Sequence, residues 1–335
     1  MPLPTTAGAR TPAGRIAVWA ELLRLSALFT VPGDALAGTA AAGRRVHRGT
    51  AYAIGASCCL YTAGMALNDW ADRHVDAVER PERPLPSCRI APAAALMAAG
   101  GLTAAGLTLA TRAGPLARAT ATALASTVWA YDLGLKRTAA GPAVMAAARS
   151  LDLLLGAVAD PGTAVPPAAC ATGGPGADGI RPSASSARPQ GTVGSVLGSA
   201  VLLGAHTLAV TAVSRQEVYG GSTPAPTAAL ATTAALACGL GRSLAVSAGT
   251  GAARLGLLVN ATTLLIYTAT AGRPYLHAAL NPSPQLTRRA VAGGIRAVIP
   301  LQAALVQRHK TARAALPVLA LLPAARLLSR RISPT

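Results

Sequence analysis

Long apolar runs are the feature that most constrains what this chain can fold into. Ten of them follow one another with polar breaks between, and about 20 helical residues are enough to cross the hydrocarbon core of a bilayer. None of the runs alternates between polar and apolar residues, so they predict helices and not barrel strands. The runs are Val18–Ala42, Thr50–Leu67, Ile90–Thr111, Leu116–Leu133, Gly141–Ala159, Val193–Val213, Ala225–Leu240, Leu255–Ala271, Ala290–Val306 and Thr311–Leu328.

The pattern predicts a single all-α domain over residues 1–335, a polytopic transmembrane helical bundle of about nine spans. The ninth run is interrupted by Arg296 and Pro300, so we expect it to be re-entrant or short. Residues 1–15 are polar and lack the features of a cleaved signal peptide, so we expect them to be retained. Residues 160–190 are rich in Pro, Gly and Ser without periodicity, which predicts a disordered loop.

Composition and charge support a membrane protein. Only 13% of the residues are charged, against roughly 25% in soluble domains. The net charge of +18 comes from arginines scattered between apolar runs, and aromatic residues are only 3%. These features disfavour a nucleic-acid partner and favour cationic loops that meet lipid headgroups. The loops on the side of the acidic segment at residues 67–90 carry more Lys and Arg, which favours a cytoplasmic position for that side, in the plasma membrane.

This acidic segment carries the most informative polar pattern. It contains five of the 12 acidic residues of the chain, which are Asp69, Asp72, Asp76, Glu79 and Glu82. If the second span continues as a helix, the three aspartates share one face, and Asn68 lies one turn from Asp72. Oxygen ligands without His or Cys suit magnesium or calcium, and magnesium typically joins carboxylates to substrate phosphates.

Three arginines beside these acids could contact phosphate oxygens. Arg73, Arg80 and Arg83 lie in the same segment, and guanidinium groups bind phosphate through paired hydrogen bonds. The segment therefore offers both halves of a metal–diphosphate site. The alternative is an ordinary charged loop at the membrane surface.

The motif N-D-x-x-D-x-x-x-D, followed by R-P-x-R-P-L-P-S, resembles the first signature of the UbiA prenyltransferase superfamily. The resemblance implies an intramembrane enzyme that ionises an allylic diphosphate with the help of Mg²⁺ and passes the prenyl group to an aromatic or other hydrophobic acceptor. It also implies metal ligands at Asn68, Asp69, Asp72 and Asp76, the three aspartates being catalytic. The family's usual Gly after the Ser is replaced by Cys88.

Two further stretches resemble the family more loosely. In YDLGLKR, residues 131–137, the resemblance implies that Lys136 meets a phosphate, whereas a cationic helix end at the interface is the alternative. In RSLDLLLGA, residues 149–157, Asp152 stands where the family usually has Asn. Arg149 and Asp152 would neutralise each other within the membrane.

The second Asp-rich signature of the family is degenerate in this chain. Its place is taken by SRQEVYGGS, residues 214–222, where Glu217 is the one carboxylate. This form resembles the Ebo-cluster branch of the superfamily, which is tied to moving or tailoring a metabolite at the membrane. The alternative function is therefore a non-catalytic UbiA-like protein that binds or traffics a lipophilic metabolite. An unrelated secondary transporter would instead spread its charged residues through mid-span positions.

Asp34 is a further candidate because it lies within an apolar run, just after Pro32-Gly33 where a helix could break. We expect it to line a cavity, the alternative being an ion pair with Arg24. We also expect Asn68–Asp76 and Ser214–Gly221 to share one membrane face, since each follows an even-numbered span. The residues predicted to bind substrate are Asp34, Arg73, Arg80, Lys136 and Glu217.

Overall fold

The structure is a computed structural model that describes residues 12–25, 27–160, 191–217, 220–246, 253–310 and 312–323. The predicted disordered loop, apart from Asp160, and most of the polar N-terminus lie outside the described residues. Within them, all regular secondary structure is helical. The predicted all-α bundle is thereby confirmed.

The helices reproduce most of the apolar runs, and several begin with proline in the first turn, where its missing N–H costs no hydrogen bond. Short 3₁₀ turns occur at Leu28–Thr30, Leu135–Arg137 and Ala312–Ala315, the last continuing as a helix at 316–323. The α-helices are α1 Pro12–Leu22, α2 Pro32–Ala41, α3 Arg48–Glu79, α4 Pro92–Arg112, α5 Pro115–Leu133, α6 Gly141–Val158, α7 Val193–Ser214, α8 Pro224–Val246, α9 Ala253–Leu280 and α10 Pro284–His309.

Five of the described helices are long and apolar enough to cross a membrane by length and composition: α3, α4, α6, α7 and α10. The protein is accordingly an integral membrane protein with several helical spans. The long α3 continues past its apolar part to Glu79, as the acidic motif required.

Two predicted spans are wrong in detail. The run Val18–Ala42 is not one helix, because α1 ends at Leu22 and α2 begins only at Pro32; between them Arg24 adopts a positive φ of 47°. The run around Pro300 is neither short nor re-entrant, because α10 continues through the proline for 26 residues. Pro300 is buried among neighbouring helices, which stabilise a helix that proline alone would weaken. Of the last run, Thr311 and residues 324–328 lie outside the described residues.

Small residues let the central helices approach closely, as expected where apolar lipid gives helix association little driving force. A Cβ on Gly38 of α2 would lie 1.9 Å from the carbonyl oxygen of Leu153 in α6, and one on Gly156 would lie 2.2 Å from that of Ala35. Because these contacts involve backbone atoms on both sides, α2 and α6 pack without a gap.

The up-and-down path brings the ends of α3, α5 and α7 to one end of the bundle. There, Arg215 Nη1 donates to the carbonyl oxygen of Thr138 at 2.6 Å. Nearby, Lys136 Nζ lies 2.7 Å from Asp72 Oδ2. The end of α7 therefore lies beside the acidic part of α3, as alternation of the helices predicted. We call this end of the bundle the acidic end.

Candidate functional site

A cavity of about 400 Å³ runs into the bundle between α3, α5, α6, α7 and α10. Its middle is mostly apolar, with Tyr61, Thr207 and Thr211 as the polar exceptions, and its two ends are polar. The polar group nearer the acidic end, which we call the mouth, consists of Arg24, Asn68, Tyr131, Asp132 and Ser214. The polar group at the inner end, which we call the floor, consists of Thr30, Ser57, Arg149 and Asp152. The apolar wall between them includes Leu60, Met65, Leu124, Val128, Met145, Val210, Val291, Ile295 and Val298.

Two of the predicted aspartates are buried on one face of α3 and share an arginine. Arg83 Nη1 lies 2.6 Å from Asp76 Oδ2 and 3.4 Å from Asp69 Oδ1. Asp69 is also 3.0 Å from Arg24 Nη2. One guanidinium therefore joins carboxylates that are seven residues apart, which confirms that they face the same way. The cations also reduce the repulsion between the two acids.

The third aspartate, Asp72, is bound from α5 and the turn after it. Besides Lys136 Nζ at 2.7 Å, Arg137 Nη2 lies 3.4 Å from its carboxylate. Lys136 is thus at the acidic end, where a bound phosphate could reach it, and in this structure its ammonium group binds a carboxylate.

The sequence reasoning did not assign a role to Asp132, which lies at the mouth. Asn68 Nδ2 donates to Asp132 Oδ1 at 2.8 Å, and Lys136 Nζ is 3.8 Å from the same oxygen. The signal was present, since Asp132 is an acid at the end of an apolar run, four residues before Lys136. Arg83 was among the three arginines expected to contact phosphate, whereas Arg24 had been considered only as a partner of Asp34.

Two arginines predicted to bind substrate lie elsewhere in this structure. Arg73 Nη1 donates to the carbonyl oxygen of Trp70, and its guanidinium lies 4.6 Å from the centre of the Trp70 ring. Arg80 ends α3 and donates its backbone N–H to the carbonyl oxygen of Asp76. Among the described residues, neither side chain forms an ion pair with the acids of α3.

Asp34 does not line the cavity, so that expectation is wrong, and so is the alternative pairing with Arg24. Its carboxylate is fully buried behind the floor, with Arg149 Nε 2.9 Å from Oδ2. Gln302 Nε2 donates to Oδ1 at 2.6 Å. Arg24 binds Asp69 instead, because the break before α2 turns it toward the mouth. The expected pairing of Arg149 with Asp152 is replaced by the one with Asp34, and Ser57 donates to Asp152.

Glu217 lies in the turn after α7, where its backbone N–H donates to the carbonyl oxygen of Ser214 at 3.1 Å. Ser214 lines the cavity at the mouth. Among the described residues, Glu217 forms no ion pair, and the neighbouring Arg215 binds Thr138 instead. The turn therefore lies at the acidic end, while the Glu217 side chain is outside the cavity wall.

The acidic end has the donor chemistry of a magnesium–diphosphate site. Its ligand atoms are all oxygens, from Asn68, Asp132 and the three α3 aspartates, and Arg24, Arg83 and Lys136 lie among them. Within the described ranges, no three His, Cys, Asp or Glu side chains already converge on a point that could hold a metal ion. The cations instead form ion pairs with the carboxylates. The oxygens of a bound diphosphate would be alternative partners for these cations.

Comparison with known proteins agrees with these features. Residues 28–177 match the UbiA prenyltransferase family. Digeranylgeranylglyceryl phosphate synthase of Ignicoccus hospitalis is 34% identical over 125 residues, which are 37% of this chain and 41% of that protein. The enzyme of the same name from Methanopyrus kandleri is 35% identical over 114 residues, or 34% of this chain and 40% of the relative. The matched segments thus span about two fifths of these relatives.

Solved structures share the whole fold at low identity. A UbiA homolog from Archaeoglobus fulgidus bound to GPP and Mg²⁺ matches 91% of this chain and 99% of its own, with a TM-score of 0.56 and 15% identity. A UbiA homolog from Aeropyrum pernix K1 matches 80% of this chain and 96% of its own, with a TM-score of 0.53 and 15% identity. The matched range 28–177 includes the acidic motif, and the solved structures share the fold of the bundle around it, so this chain is similar to UbiA prenyltransferases in both its motif and its fold.

Proposed function

We propose that this protein is an intramembrane prenyltransferase, which transfers a prenyl group from a magnesium-bound prenyl diphosphate to a hydrophobic acceptor. The observation that carries the proposal is the position of the mouth. Asp132 and Arg24 line the entrance of an apolar cavity between helices. Beside it, Arg24 binds Asp69 and Lys136 binds Asp72. A prenyl diphosphate has the same division into a highly charged head and an apolar tail.

The acidic end would hold the charged head. Asp69, Asp72 and Asp76, with Asn68 and Asp132 beside them, are the residues that would hold Mg²⁺, and the metal would neutralise charge that develops on the diphosphate. Lys136, Arg24 and Arg83 would turn from these carboxylates toward phosphate oxygens. Their positive charge would stabilise the leaving group as the bond between carbon and oxygen breaks.

The apolar middle of the cavity would hold the tail and exclude water. Leu60, Val128, Val210 and Val298 supply surface for the prenyl chain. Keeping water away favours capture of the allylic cation by the acceptor over capture by hydroxide or water. In the transfer, the acceptor forms a bond to the first prenyl carbon and loses a proton, while the electron pair of the broken bond leaves with the diphosphate.

The weak second motif supports the alternative of a non-catalytic protein that binds or traffics a lipophilic metabolite, as in the Ebo-cluster branch. Glu217 is the one acid in that segment, and its side chain lies outside the cavity wall. A protein that holds the diphosphate only through the acids of α3 would bind the ligand without converting it to product. For the enzyme, the acceptor would be a hydrophobic molecule. In both cases the acidic end would face the cytoplasm, where the diphosphate is available.

The test is an assay of the purified full chain with labelled geranyl diphosphate, with and without Mg²⁺, in the presence of membrane lipid extract. Transfer of label into lipid that requires Mg²⁺ supports the enzyme. Magnesium-dependent binding without transfer supports the alternative. If the protein binds no prenyl diphosphate with Mg²⁺ present, both functions are contradicted.

A further inference from the structure

The floor contains a buried acid that has no cationic partner. Asp152 on α6 lines the cavity, and 7% of the residue is exposed. Its Oδ1 accepts a hydrogen bond from the Ser57 hydroxyl. Within the part of the chain that the structure describes, no Lys, Arg or His forms an ion pair with it. A carboxylate has room for about four hydrogen bonds, so a ligand in the cavity can use the capacity that Ser57 leaves.

The cation of the floor is bound to other groups. Arg149 precedes Asp152 by one turn of α6, but its Nε lies 2.9 Å from Asp34 Oδ2 and its Nη2 donates to the carbonyl oxygen of Thr30 at 3.0 Å. The Asp34 carboxyl lies against that of Asp152. Two carboxyl groups therefore share one guanidinium. When both acids are ionised, one negative charge is left without a cation.

This region is also short of hydrogen-bond donors. Among the described residues, Asp34 Oδ2 and Gln302 Oε1 are buried without a hydrogen-bond partner, the first despite its ion pair with Arg149. Gln302 Nε2 already donates to Asp34 Oδ1 and to the carbonyl oxygen of Thr30. Buried acceptors without donors are costly. A ligand that brought both a positive charge and N–H groups to the floor would meet both deficits.

The acid at the mouth lacks neither. Asp132 lines the same cavity and is buried to a similar degree, at 5% exposed. Its Oδ1 accepts from Asn68 Nδ2 at 2.8 Å and lies 3.8 Å from Lys136 Nζ. A cationic ligand would have to compete with Lys136 there, whereas at Asp152 it would meet a carboxylate without an ion pair.

We propose that Asp152 binds the protonated amino group of a lipophilic primary amine. The ammonium group supplies three donors and the missing charge. Because the fold has already buried the acid, the ligand adds only the cost of its own desolvation. Leu60, Met145 and Val298 supply apolar surface for the rest of the molecule. The inference gives a chemical class to the hydrophobic acceptor and in that respect rests on the proposed function, while the binding itself needs neither Mg²⁺ nor prenyl diphosphate.

The experiment compares polar groups on one apolar ring. Naphthylethylamine, naphthylethanol and naphthylacetate are titrated against the purified full chain in non-ionic detergent, without Mg²⁺ or diphosphate. At about pH 7 the primary amine is protonated and the carboxylate is ionised. We expect the amine to bind at least about tenfold more tightly than the alcohol. The naphthylacetate anion should bind most weakly, because it adds a second negative charge beside Asp152.

Asp152→Asn tests the residue directly. The side chain keeps its size and can still accept from Ser57, but it loses its charge. Affinity for the amine should fall about tenfold, while affinity for the alcohol stays the same. Asp132→Asn is the matched control, since it removes a similarly buried acid from the same cavity, and it should change affinity for the amine by less than about twofold. Comparing each probe with itself across the variants cancels its partition into micelles.

Ser57→Ala should act in the opposite direction. The substitution removes the hydroxyl that donates to Asp152, so the carboxylate has one donor fewer and more to gain from an ammonium group. We expect affinity for the amine to rise about threefold, with affinity for the alcohol rising less. Melting temperatures of the three variants show whether each is folded.

The outcomes separate the inference from the proposed function. If the amine and the alcohol bind alike, a proton shared by the two carboxyl groups already completes the floor and the inference is overturned. It is also overturned if Asp132→Asn weakens amine binding as much as Asp152→Asn does. Unchanged amine affinity in Ser57→Ala overturns it too, and that result decides if Asp152→Asn does not fold. Magnesium-dependent binding of geranyl diphosphate to the same preparation tests the proposed function separately, and its absence contradicts that function whether or not the amine binds.

Discussion

The mouth and the floor are two groups of charged residues on the same cavity, and they are built differently. At the acidic end, cations such as Arg24 and Arg137 are partly exposed, with 37% and 63% of the side chain accessible. At the floor, the Arg149 side chain is 15% exposed, and its partner Asp34, behind the floor, is completely buried. The floor is also bound to backbone, through the carbonyl oxygen of Thr30.

This difference in exposure predicts a difference in role. Ion pairs near solvent contribute little to stability and exchange partners at low cost, so the mouth is suited to binding a charged ligand. Breaking a buried pair leaves a charge without a partner, so the floor is suited to fixing the structure. Substitutions at the mouth should therefore change ligand affinity, and substitutions at the floor should change the free energy of unfolding.

The largest expected effect is on stability, from Arg149→Met. The substitution leaves the buried Asp34 without its cation, and it should lower the free energy of unfolding by about 3–5 kcal/mol. Unfolding in detergent measures this, with Arg118→Met, at an exposed position on α5, as the control. Adding Asp34→Asn should restore part of the loss, because it removes the unpaired charge. If Arg149→Met alone is as stable as Arg118→Met, the structural role of the floor is contradicted.

The next effect is on binding, from Asp72→Asn. We expect magnesium-dependent affinity for geranyl diphosphate to fall more than about 100-fold, because even residues behind metal ligands cost 10–100-fold when removed. The free energy of unfolding should fall less than in Arg149→Met, because Asp72 is 23% exposed and the amide oxygen of Asn can still accept a hydrogen bond from Lys136. The melting-temperature shift with Mg²⁺ and ligand reports both quantities, and EDTA should abolish it in the unaltered protein. Glu79→Gln, at an exposed acid on α3, is the control; an undiminished shift in Asp72→Asn would locate the metal elsewhere.

Arg83→Gln should have a smaller effect, which raises the stabilisation by Mg²⁺ and lowers the affinity for the prenyl diphosphate. The guanidinium that joins Asp69 to Asp76 is lost, so Mg²⁺ alone should stabilise the variant more than the unaltered protein. Affinity for the prenyl diphosphate should nevertheless fall about tenfold, the value of one charge-assisted contact. Arg89→Gln serves as the control, since Arg89 binds Glu21 and not the acids of α3. Equal responses to Mg²⁺ in the two variants would show that Arg83 does not occupy a metal position.

The smallest effect is expected from Glu217→Gln. If Glu217 is a surviving ligand, affinity in the presence of Mg²⁺ should fall about threefold to tenfold while stability is kept. A loss of stability without loss of affinity would instead indicate a helix-end role. Glu82→Gln provides a comparison at an exposed acid of the acidic segment. Unaltered affinity and magnesium dependence would refute the ligand role and sharpen the contrast between the α3 acids and the segment at residues 214–222.

The sequence predicted the acidic face of α3 because helix geometry is local. The spacing of Asp69, Asp72 and Asp76 determines their common side once the helix continues, and Glu79 shows that it does. Among the described residues, Arg73 and Arg80 form no ion pair with these acids, although they are close to them in sequence. Which cation meets which acid depends on where separate helices cross, and Arg24 and Lys136 come from other parts of the chain.

The sequence by itself determined an all-helical membrane bundle with an oxygen-rich acidic end, because apolar length and helical period act within each segment. Only the tertiary structure decided that Asp34 lies behind the floor, in contact with Arg149 and Gln302, and that Asp132 belongs to the mouth. Those contacts join residues far apart in the chain, the most distant pair being 268 positions apart. A buried charge must find a partner wherever packing places one, and packing is a property of the whole bundle.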